Sequence, residues 1–93
     1  MEVRPREIRN YLTVHGKNIF DEWLDSLRDR RAKAKIRARL DRVEDGNLGD
    51  SKSVGEGVFE LRIDYGLGYR IYFGQEEIII IILLCGGDKS TQK

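Results

Sequence analysis

An α+β fold is predicted by three features of this sequence, with elements in the order β-α-α-β-β-β and a helical pair on one face of a small antiparallel sheet. Apolar residues recur at helical spacing between positions 20 and 43, and they alternate with polar residues between 59 and 73. An unbroken isoleucine and leucine run then fills positions 78–84. Ninety-three residues support a single modest core, so 1–93 is read as one domain.

The elements follow in chain order. Residues 6–14, REIRNYLTV, alternate loosely and predict a first strand, which Pro5 can only precede or edge. His15-Gly16-Lys17 turns the chain, and Asn18 with Asp21 has the form of a helix start, Asn as cap and an acid in the first turn. Phe20, Trp23, Leu24 and Leu27 form the apolar stripe of a short helix ending near Leu27 or Arg28. A second helix from Asp29 or Arg30 carries Ala32, Ile36, Leu40 and Val43 on one stripe and stops at Gly46. Residues 46–57, GNLGDSKSVGEG, predict a long Gly-rich loop. Strands are expected at 58–65, 69–74 and, after a Gln75-Glu76-Glu77 turn, 78–84. The last, wholly apolar, predicts an inner strand buried on both faces. GGDKSTQK is a polar tail.

Composition narrows the function. Net charge is only +1, so bulk electrostatics make no case for nucleic acid, yet residues 28–42 hold eight basic and two acidic residues. One cysteine, Cys85, allows no internal disulfide and no cysteine zinc site, and its place at the end of an apolar run predicts a buried, inert thiol. With a single histidine, His15, a metal site or a Cys–His dyad would rest on one residue of each kind, so neither is expected. No cofactor is implied. The N-terminus is charged rather than signal-like, and the apolar run is far short of a membrane span, which predicts a soluble cytoplasmic protein.

The chemistry is concentrated in FELRIDYGLGYRIYF, residues 59–73, which has the form of a β-hairpin. Phe59, Leu61 and Ile63 share one face with Tyr69, Ile71 and Phe73; Glu60, Arg62, Asp64, Arg70 and Tyr72 share the other. A two-residue loop would mix the faces. A three-residue loop, Gly66-Leu67-Gly68, keeps them apart, setting Ile63 opposite Ile71, Asp64 opposite Arg70 and Arg62 opposite Tyr72. Arg62 and Arg70 then become diagonal neighbours, able to converge on one phosphate. The alternative is a solvated face on which Asp64 and Glu60 neutralise the arginines.

With this order of elements, WLDSL at 23–27, ELRIDYGLGYRIYF at 60–73 and ILLCGGDKSTQ at 82–92 resemble the HigB-type branch of the RelE/ParE toxin superfamily, whose members are described as addiction-module killer or phage-derived proteins. The resemblance spans nearly the whole chain. It implies a RelE-like fold and the toxin of a type II toxin–antitoxin system, a small ribonuclease that cleaves mRNA in the ribosomal A site. It also implies a cognate helix-turn-helix antitoxin as partner. Arg70, in Gly-Tyr-Arg, matches the family's main phosphate-contacting arginine. Arg62 lies on the strand where relatives carry further basic active-site residues, and Lys89 lies near another cation past the last strand. Two departures stand out. Relatives often have proline where this chain has Leu67, and many continue with a helical or aromatic segment, some with a catalytic histidine or tyrosine, beyond the point where this sequence stops.

Cleavage of RNA through its own 2′-hydroxyl needs a base, an acid and cations for the charge of the phosphorane. Arg70 with Arg62 or Lys89 suits the cationic role. Glu60 is a candidate base weakened by its arginine neighbours, and Tyr72 a candidate acid. On the basic helix Lys35 and Arg39, in a stripe with Arg31 and Arg42, are either a solvated face or a contact for RNA or an acidic antitoxin segment. Lys52, in the long loop, is a weaker candidate for backbone contact. Two further functions fit the same sequence: a degenerate, non-catalytic toxin that binds its antitoxin and co-represses their operon, and a DNA gyrase poison.

Overall fold

The computed structural model describes residues 5–66, 68–77 and 80–88. It contains β1 (Glu7–Asn10), α1 (Ile19–Ser26), α2 (Arg30–Glu44), β2 (Ser51–Gly55), β3 (Val58–Ile63), β4 (Tyr69–Glu76) and β5 (Ile80–Asp88). The strands form one sheet in the order β1-β5-β4-β3-β2. The predicted α+β fold is present, with two amendments. β1 pairs with β5 in parallel, so the sheet is mixed rather than antiparallel throughout. A fifth strand, β2, occupies part of the stretch expected to be loop.

Capping separates the helices. The Asn18 side chain accepts from the Asp21 backbone N–H at 3.0 Å, starting α1. The Asp29 side chain accepts from Arg31 and Ala32, starting α2 only three residues after α1 ends. Gly46, at φ 96°, donates to the Val43 carbonyl and takes the left-handed position that stops α2. Both helices lie on one face of the sheet. Phe20 and Leu24 of α1 and Ala32, Ile36 and Val43 of α2 are buried against Leu61, Ile63, Tyr69, Ile71, Phe73, Ile81 and Leu83.

β1 is shorter than the expected 6–14, because Thr13 donates to Lys17 and accepts from Gly16, folding 11–17 into a turn. β5 is an inner strand as expected, but only one of its faces is buried. Ile81 and Leu83 meet the helices, whereas Ile82 and Leu84 are half-buried on the side that carries no helix. Ile78 and Ile79, also expected in this strand, lie outside the described residues.

Part of the Gly-rich stretch forms a strand by pairing with the edge of β3, where its polar residues stay exposed. β2 lies at the sheet edge with four of its five residues exposed, and pairs Lys52 with Glu60 and Ser53 with Phe59. Arg39 prepares it. This side chain is 7 % exposed, and its Nη2 donates to the Leu48 carbonyl just ahead of β2. Gly49 (φ 57°) lets the chain pass, since a Cβ there would stand 2.6 Å from the Arg39 Nη2.

Candidate functional site

The β3–β4 hairpin keeps the predicted faces but not the predicted register. Arg62 lies directly opposite Arg70, Leu61 opposite Ile71, Glu60 opposite Tyr72 and Ile63 opposite Tyr69. The three-residue loop is therefore replaced by a five-residue connection, 64–68, in which Tyr65 donates to the Ile63 carbonyl and Gly68 to that of Tyr65. The shift is two residues, an even number, so no side chain changes face. Asp64 leaves the ladder, and the diagonal pair of arginines becomes a facing pair.

Two like charges directly opposite each other destabilise a sheet. Glu60 resolves the conflict. Its Oε1 accepts from Arg62 Nε at 2.9 Å and from Arg70 Nη1 at 2.8 Å. The residue is 4 % exposed, whereas the side chains of Arg62 and Arg70 are 39 % and 18 % exposed. Burial pushes the Glu60 carboxyl up. The Arg62 hydrogen bond and the charges of Arg70, Arg62 and Lys52 outweigh that push and hold it below the ordinary carboxylate range.

Pairing across the sheet extends the site. Lys52, Glu60, Tyr72 and Cys85 form one cross-strand row on the helix-free face, and Arg62, Arg70 and Gly87 form the next. An irregularity between Tyr72 and Phe73 takes Leu84 out of register and so aligns Cys85 with Tyr72. Cys85 is half-buried rather than enclosed, and burial raises its thiol pKa, which keeps it protonated. Lys52, read from the sequence as a loop cation, stands on β2 beside the carboxylate. At the loop end of the hairpin a pocket of about 270 Å³ is lined by Arg62 and Arg70 together with Asp50, Asp64, Gly66 and Gly68. The pocket thus sets two guanidiniums beside two carboxylates, and the guanidinium pair is the part able to take a phosphodiester. Among the described residues, no group of three or more His, Cys, Asp or Glu side chains could hold a metal ion.

Two other candidate residues, Lys35 and Arg39, are not brought there. Lys35 is exposed on α2, on the helical layer, with its Nζ 5.9 Å from the centre of the Tyr65 ring. Arg39 is buried against the 46–50 segment and so is not the exposed cation that its place in the basic stripe predicts. Lys89 lies outside the described residues. Asp50, missed by sequence reasoning, gains its place because its carbonyl accepts from the Arg62 N–H at 3.0 Å, and only strand pairing could have shown it.

Trp23 supports the site from below. Its ring meets Tyr69 edge-on at 6.3 Å and occupies the space a side chain on Gly86 would need. Trp23 of WLDSL and Gly86 of GGD therefore pack together one residue away from Gly87, the cross-strand partner of Arg70. A family model for phage-derived Gp49-like proteins (DUF891) matches residues 22–93, from this tryptophan's neighbour through the hairpin and beyond.

The chain belongs to the Gp49-like family. An uncharacterized protein of Haemophilus influenzae is 60 % identical over 73 residues, covering 78 % of this chain and 74 % of that one. No solved structure matches. The Gp49-like family is toxin-like and related to the RelE/ParE superfamily, so membership is consistent with a toxin paired with an antitoxin. No helix among the described residues of this Gp49-like protein is long and apolar enough to cross a membrane.

Proposed function

We propose that this Gp49-like protein is a type II toxin of the HigB kind, an endoribonuclease that cuts mRNA on the ribosome and is restrained by a helix-turn-helix antitoxin. The observation that carries the reading is the facing pair Arg62 and Arg70, held on the helix-free face and lining the pocket at the hairpin's loop end. In this mechanism the 2′-hydroxyl loses its proton to solvent water as its oxygen attacks the adjacent phosphorus, and the P–O5′ bond breaks, giving a 2′,3′-cyclic phosphate and a 5′-hydroxyl. The two guanidiniums stabilise the charge that builds on the phosphorane oxygens, a role worth on the order of a hundred- to a thousandfold in rate per donor. Tyr72, in the next row, would protonate the leaving 5′-oxygen. Lys52 and, past β5, Lys89 would add charge along the RNA backbone, and Lys35 would steer the protein toward ribosomal RNA.

With so few proton-transfer groups, in-line alignment of the RNA supplies much of the rate, in keeping with an enzyme whose substrate is oriented by the ribosome. The test is induced expression followed by mapping of mRNA 5′ ends. Growth arrest with cuts that require translation supports the proposal. Arrest without cleavage points to another target, gyrase among them, and absence of arrest to a binding partner without activity.

A further inference from the structure

Glu60 is the carboxylate that bridges Arg62 and Arg70, with Asp50 and Asp64 lining the adjoining pocket, and its surroundings do not suit a base. A general base works best with a pKa near the operating pH and with access to the proton it takes. Glu60 is 4 % exposed and shares one oxygen between two guanidiniums. The groups facing it are Lys52 from β2, Arg62 on its own strand, and Arg70 and Tyr72 from β4. Three of these four are cations, and both arginines also line the pocket beside it.

We propose that Glu60 is a positioning residue: a resident counter-anion that orients Arg62 and Arg70 and holds down their affinity for RNA phosphate. This rests on the reading of the two arginines as a phosphate clamp. A guanidinium has five N–H donors, and the bracket uses one from each arginine, so further donors on both can turn to a ligand. Without the bracket the two side chains would repel and separate. With it they are held at one spacing while Glu60 offsets one of their two charges at contact distance, Asp50 and Asp64 lying farther along the same pocket. A bound phosphodiester then sits beside a carboxylate already in place, so the same residue that shapes the clamp weakens ground-state binding.

Two variants separate shape from charge. Glu60→Gln keeps a carbonyl oxygen where Oε1 stands, and so keeps the bracket without its charge. Glu60→Ala removes both. Binding is read with a short single-stranded oligoadenylate, and cleavage with ribosome–mRNA complexes across a pH series. Glu60→Gln is expected to bind the oligonucleotide about tenfold more tightly, the effect of removing one charge at partly screened range. Its KM should fall, its kcat should stay within about tenfold of the wild type, and its pH profile should keep its shape. Glu60→Ala should lose about a hundredfold or more in kcat while still binding RNA, because the clamp loses its geometry.

A Glu60→Gln protein as inactive as Glu60→Ala, with the acidic limb of the profile gone and affinity unchanged, overturns the proposal and makes Glu60 the base. If instead Arg70→Ala binds oligoadenylate as well as the wild type, the clamp itself falls, and the role given to Glu60 falls with it.

Discussion

Glu60 also gives the site a pH signature. Its carboxyl is held below the ordinary value by the Arg62 hydrogen bond and by neighbouring cations acting against burial. A carboxyl depressed in the folded state binds fewer protons folded than unfolded, so its stabilising contribution is complete above the unfolded value of about 4.3 and fades as pH falls through the folded value. Thermal melts of the wild type should therefore lose stability below about pH 4 more steeply than those of Glu60→Gln. Parallel acid profiles for the two proteins would show that the bracket does not favour the ionised carboxylate. The residues of this site were readable in the sequence: Glu60, Arg62, Arg70 and Tyr72 share one face by alternation alone. Which of them touch was not, because alternation fixes the face and leaves the register to the turn. A connection of five residues pairs Arg62 with Arg70, where three would have paired Asp64 with Arg70.

The helices and β5 were legible for a related reason: caps at Asn18 and Asp29, a stop at Gly46 and an apolar run are local signals. β2 was not, since SKSVG has neither apolar alternation nor a core face, and it exists through its pairing with β3. Arg39 holds the approach to that strand. Arg39→Ala should cost about 1–3 kcal/mol by chemical denaturation, while Lys35→Ala, an exposed residue, should cost within about 0.5 kcal/mol. Equal, small losses would remove the anchoring role given to Arg39. In RNA binding the order reverses: Lys35→Ala should lower the salt dependence by about one unit, as one phosphate goes unneutralised. The packing of β5 on α1 gives a second case. Gly86→Ala places a methyl within the space of the Trp23 ring and should destabilise the protein by about 1–3 kcal/mol. In a background already carrying Trp23→Ala the same change should cost much less, and additive losses would mean that the two residues do not meet.

In the whole molecule the division of labour is between two sides of one sheet. Two short helices are enough to cover the apolar face, and this leaves the opposite face to carry charge. A net charge of +1 conceals the arrangement, because Asp and Glu elsewhere offset the cations gathered on α2, while on the hairpin Glu60 and Asp64 balance Arg62 and Arg70. The sequence predicted a helical pair over an open face, and that is the architecture found; the parallel entry of β1 beside β5 was hidden because strand order is not written in local pattern. Separating core from site predicts that an open-face arginine can be removed without unfolding the chain, unlike Ile36, which is fully buried and whose change to Ala should cost about 2–5 kcal/mol. The central claim, that the bracketed arginines act on RNA, is therefore tested most directly by inducing wild-type and Arg70→Ala proteins in growing cells, with folding checked by circular dichroism and antitoxin titration. The account predicts that Arg70→Ala keeps its fold and its antitoxin affinity but no longer arrests growth. A well-folded Arg70→Ala protein that arrests growth as fully as the wild type would contradict it.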